Sequence, residues 1–106
     1  MRENKFQSEL IKDIKSRFPD CIVVKNDPNY LQGVPDLLIL HSDTWAALEC
    51  KKDLKAAHRP NQDYYVERMN DMSFSRFICP ENREEVLNEM EQAFKCGRTT
   101  CLPKPK

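Results

Sequence analysis

Apolar residues recur along this chain with two different periods. Over residues 3–18, Phe6, Leu10, Ile11, Ile14 and Phe18 repeat at helical spacing, which predicts an amphipathic helix closed by Pro19-Asp20. The β-branched run Cys21-Ile22-Val23-Val24 predicts a strand, and a loop rich in turn residues follows over 26–33. Two more apolar runs, Leu37-Leu38-Ile39-Leu40 and Trp45-Ala46-Ala47-Leu48, flank the polar string His41-Ser42-Asp43-Thr44 and predict a hairpin. After a polar connector at 53–59, Pro60 stands where a helix begins; its expected span is 61–72, with Tyr64, Tyr65, Met69 and Met72 as apolar contacts. Ser73-Phe74-Ser75-Arg76-Phe77-Ile78-Cys79 alternates like a strand. A last helix is expected over 81–94, with Val86, Leu87, Met90 and Phe94 as its buried stripe. The order helix, three strands, helix, strand, helix is that of an α/β sandwich. It forms a single domain over 1–94, followed by a basic tail at 95–106 that is expected to fray.

The hairpin carries the candidate chemistry. With Ser42-Asp43 as a two-residue loop, Leu40 pairs with Trp45 and the register continues until Asp36 faces Glu49. Side chains alternate along a strand, so Lys51 shares the face of Glu49. Two carboxylates and one ammonium then converge on one edge of a sheet, a set suited to a divalent cation and a phosphodiester. The competing reading is a plain hairpin whose end charges face water. Both runs are too apolar for a surface hairpin, which places the cluster where a buried sheet meets solvent.

Composition narrows the classes. Seventeen basic and seventeen acidic residues give zero net charge, which argues against grip on DNA by bulk electrostatics. The charge is unevenly spread, however: Lys51, Lys52, Lys55 and Arg59 cluster just after the hairpin, while 81–91 holds five glutamates against one arginine. The five cysteines form no paired framework and read as buried thiols of a reducing compartment; Cys96 and Cys101 have no second pair nearby to complete a zinc site. No apolar run reaches membrane-spanning length and the N-terminus lacks a signal-peptide core, so the expected location is the cytoplasm.

Gly33-Val34-Pro35-Asp36 followed by Glu49-Cys50-Lys51, in this order of elements, resembles the PD-(D/E)XK nuclease superfamily. Gln32-Gly33 and the helix opening Arg59-Pro60-Asn61-Gln62 resemble most its VRR-NUC branch, which includes small phage-encoded nucleases described as Holliday-junction resolvases. The resemblance runs over roughly 3–79. It implies a restriction-endonuclease-like α-β-β-β-α-β core with a C-terminal helix. It further implies Mg²⁺ or Mn²⁺ held by Asp36, Glu49 and the carbonyl of Cys50, with Lys51 orienting the attacking water.

The family also expects an acid on the first helix. Glu9 points away from the Phe6–Leu10–Ile14 face at about 100° per residue, whereas Glu3 and Gln7 lie on that face, so the expectation falls on these two. Gln62 resembles the family's glutamine that contacts the lysine or the phosphate. Lys52, Lys55, His58 and Arg59 are candidate phosphate contacts, and Asn26 and Tyr30 are candidates to line the substrate loop. His58 as a general base is the weaker expectation, since a loop histidine is ordinarily solvated. The implied partner is DNA, branched or junction-like, cut by a homodimer with two active sites. The alternatives are a catalytically weak or partner-activated DNA-binding module on the same fold, and an interaction protein using the acidic last helix.

Overall fold

A computed structural model describes residues 3–27 and 29–96. Its elements are α1 (Glu3–Arg17), β1 (Ile22–Lys25), β2 (Leu37–His41), β3 (Thr44–Cys50), α2 (Pro60–Met72), β4 (Phe74–Ile78) and α3 (Arg83–Cys96). This is the predicted order. α3 continues to Cys96, past the predicted end at 94, and the rest of the expected tail, with Cys101, lies outside the described residues.

The strands form one mixed sheet in the order β1-β2-β3-β4. β1, β2 and β3 are antiparallel neighbours, and β4 runs parallel to β3. A parallel pair cannot close with a tight turn, and α2 provides the crossover. The hairpin register is as the sequence predicts: Leu40 pairs with Trp45 and Leu37 with Leu48. The loop works because Ser42 adopts the left-handed conformation (φ 57°) while Thr44 Oγ1 donates to the His41 carbonyl at 2.6 Å.

Alternation divides the sheet into two faces. Val23, Leu37, Ile39, Ala46, Leu48, Cys50, Phe74 and Ile78 face α1 and α3, where they meet Phe6, Leu10 and Ile14 from the first helix and Val86, Leu87, Met90 and Phe94 from the last. Arg17 ties the two helices together, donating to Asp13 on its own helix and to Glu84 of α3 at 2.6 Å. Phe18, His41 and Phe94 close the hairpin end of this core by ring contacts.

The opposite face carries Leu38, Leu40, Trp45, Ala47, Glu49, Ser75 and Phe77, and α2 covers its β3–β4 half. Here one expectation fails. Of the α2 side chains only Val66 is buried, whereas Tyr64 and Met72 are more than half exposed and Tyr65 and Met69 are half-buried. A short helix laid over small Ala47 and Ser75 needs a single apolar contact, and its first turn is committed to polar work.

Candidate active site

The site is assembled at the end of the sheet away from the hairpin loop. Extending the observed β2–β3 register by one residue sets Asp36 opposite Glu49. A backbone staple fixes the approach of the Gly-Val-Pro-Asp segment. Asn26 N–H donates to the Asp36 carbonyl at 2.8 Å, and the Asn26 side-chain amide donates to the Pro35 carbonyl at 2.7 Å. Asn26, expected to line the substrate loop, thus spends its side chain positioning Asp36. Gly33 has φ +94°, and an added Cβ would lie 2.7 Å from the Asn61 side chain and 2.9 Å from its backbone carbon. Only glycine allows this loop to press against the first turn of α2.

Asp36 Oδ2 accepts from the Cys50 N–H at 2.9 Å, which locks the aspartate to the end of β3. Burial pushes the Asp36 carboxyl above the ordinary carboxylate range, while the Cys50 N–H and the Lys51 charge pull it the other way. Glu49 is 5 % exposed. A carboxylate so buried needs partners, and one of them is Gln62 Nε2, which donates to Glu49 Oε2 at 2.9 Å.

Gln62 is the hinge of the arrangement. Its Oε1 accepts from Lys51 Nζ at 2.8 Å and from the Arg59 N–H at 3.0 Å. The amide therefore has one assignable orientation, oxygen toward the cation and nitrogen toward the carboxylate. Lys51 Nζ also donates to the Ala57 carbonyl at 3.0 Å, which folds the 53–58 connector back over the end of the sheet. Gln62 thus links Lys51 to Glu49 through one neutral side chain.

The remaining expected residues fall into three groups. Lys52, Lys55 and Arg59 are exposed on the connector around the site. Tyr30 is 89 % exposed on the loop that leads into Gly33. On the first helix, Gln7 is half-buried and, among the described residues, makes no hydrogen bond to Asp36, Glu49 or Lys51; Glu3 begins α1, and its side chain lies outside the described residues. The described hydrogen bonds leave Gln7 outside the site and do not bear on Glu3.

His58 is exposed, as expected of a loop histidine, yet its ring is held in place. Its ring stacks on Phe77, 3.8 Å between centroids and 13° from parallel, and its Nδ1 donates to Asp63 Oδ1 at 3.1 Å. The roles of Asp63, Phe77 and the Ala57 carbonyl were not legible in the sequence. The only signal was that Asp63 directly follows Gln62. Lys51, His58, Phe77, Ile78 and Cys79 line a shallow cleft here.

Among the described residues no third His, Cys, Asp or Glu joins Asp36 and Glu49 in a metal-holding group. The donor set is two hard carboxylates. It suits a hard cation that retains several waters, and the half-buried Asp36 carboxylate is costly without a compensating charge.

No protein-family model matches the sequence, and no curated protein does. Among solved structures, the chain is similar to a VRR_NUC domain at 24% identity and a TM-score of 0.58, over 76% of this chain and 92% of that one. The fold is therefore the restriction-endonuclease-like α/β fold of a VRR_NUC domain, with Asp36, Glu49 and Lys51 gathered at one end of its sheet.

Proposed function

We propose that this protein is a metal-dependent endonuclease that hydrolyses DNA phosphodiester bonds, selects branched or junction-like DNA, and acts as a homodimer. The observation that carries this reading is Gln62 bridging Glu49 and Lys51 beside Asp36. An acid pair and a cation held at fixed separation on a nuclease-type fold are what in-line phosphoryl chemistry requires. Asp36, Glu49 and the Cys50 carbonyl would hold Mg²⁺ or Mn²⁺. Such an ion, when bound, supplies hydroxide near neutral pH and offsets phosphate charge.

The chain's own residues do the rest. Lys51, steadied by Ala57 and Gln62, retains a third N–H for a water or a phosphate oxygen. Gln62 links Lys51 to Glu49. Lys52, Lys55 and Arg59 form a rim for flanking phosphates, and Tyr30 is exposed for contact with a base. Zero net charge on a domain this small favours two copies sharing one substrate, each cutting one strand.

The test is cleavage of labelled four-way-junction, flap and linear duplex DNA with Mg²⁺, Mn²⁺ or EDTA, beside Lys51→Ala. Metal-dependent cutting is expected, reduced about a hundredfold or more by the substitution. Well-folded protein that binds metal yet cuts none of these would instead favour a DNA-binding or partner-activated role.

A further inference from the structure

One titratable side chain on the active face has no part in the arrangement above, and it is restrained from three sides. His58 donates through Nδ1 to Asp63, stacks on Phe77, and follows the Ala57 carbonyl that Lys51 Nζ grips at 3.0 Å. Phe77 is the register partner of Glu49, so its side chain stands on the same face one strand over, about 5 Å away. Asp36, Glu49 and His58 therefore lie in a row across β2, β3 and the β4 flank. Lys51 and His58 line one cleft, and Asp36 and Glu49 lie outside its lining, toward β2.

A carboxylate only accepts, so the contact with Asp63 fixes a proton on Nδ1 and leaves Nε2 as the working nitrogen. This ordering by a carboxylate is what prepares an imidazole for proton transfer. The charged and titratable groups around it are Asp63 from α2, Lys51 from the end of β3, Asp53 from the connector and the Cys79 thiol; β4 presents neutral Phe77. In-line displacement sets the entering and departing oxygens on opposite sides of phosphorus, and the row across the strands offers one flank to each.

Resting on the nuclease reading above, we propose that His58 is the general acid for the departing oxygen. Water oxygen forms the new P–O bond and gives up a proton to solvent. The ester P–O bond breaks, and the departing oxygen keeps the electron pair and takes the Nε2 proton, leaving as a hydroxyl. The imidazolium becomes neutral imidazole with Nδ1–H still on Asp63, and solvent restores the proton.

The decisive comparison uses two DNA substrates with Mn²⁺, one natural and one with sulfur in place of the departing bridging oxygen, because a thiolate leaves without a proton. His58→Asn and His58→Gln, checked for folding by thermal melting, are expected to cut the natural substrate about a hundredfold or more slowly. They should cut the sulfur substrate at close to the wild-type rate. Imidazole ¹⁵N spectra, simplified by only two histidines in the chain, should show Nδ1–H on His58, lost in Asp63→Ala. Equal slowing on both substrates, or none on either, overturns the proposal while the nuclease reading stands. Failure of the wild-type protein to cut either substrate overturns both.

Discussion

The two faces of the sheet solve opposite problems with the same strands. Toward α1 and α3, Leu37, Ile39, Ala46, Leu48 and Cys50 are wholly buried among Leu10, Ile14, Leu87 and Met90. That face is held by packing, which is non-directional and tolerant in detail. Toward α2, the same two strands present Asp36, Glu49 and then Lys51, and these are held by individually directed hydrogen bonds to Cys50, Gln62 and Ala57. One face supplies stability and the other geometry. Losses on the two sides should therefore appear in different measurements.

The largest expected effect is on the packed face. Leu10→Ala removes a fully buried side chain on the opposite face of the sheet from Asp36 and should cost about 2–5 kcal/mol of stability. Cleavage per folded molecule should be little changed. Chemical denaturation with an active-site titration checks this, and a parallel fall in activity per folded molecule would mean that the faces are not separable.

Gln62→Met should show the reverse pattern. It removes the acceptor for Lys51 and a donor for Glu49 together, so cleavage should fall about tenfold to a hundredfold. Stability should fall by only about 1–2 kcal/mol. Full activity in this variant would show that Lys51 and Glu49 keep their places without the bridge.

The smallest effect concerns Asp36 in metal-free protein. Burial raises its carboxyl, so the folded state holds the proton at pH values where the unfolded chain has released it. Stability then falls as pH rises from the ordinary aspartate range to the raised folded-state value, and above that the full cost of the half-buried charge remains. Asp36→Asn cannot ionise, and in chelator it should melt above the wild type at neutral pH, with the gap closing in acid. Melting curves that stay parallel across the pH range would show that the half-buried charge is already compensated.

Much of this was readable from local pattern. Helical and alternating periodicities located the elements, and the symmetry of the two apolar runs about Ser42-Asp43 fixed the register that pairs Asp36 with Glu49. Register is legible because a one-residue slip would bury Lys51 and expose Leu48. The α2 contacts were misread, since Tyr64 and Met72 are apolar by composition yet the crossover helix needs only Val66. The contacts of exposed His58 were hidden for a related reason. Nothing local shows that a connector histidine meets a phenylalanine nineteen residues onward.

The order of elements, the hairpin register and the trio Asp36, Glu49 and Lys51 follow from spacing along a strand or helix, which short-range sterics impose. Gln62 joined that trio through the family resemblance alone. Tertiary structure decided how the set is wired. The 53–58 connector folds back onto Lys51, Gly33 meets Asn61, Gln62 links the cation to the acid, and Asp63 and Phe77 hold His58. Those contacts join residues on different elements, which the parallel crossover between β3 and β4 brings together and which no local pattern specifies.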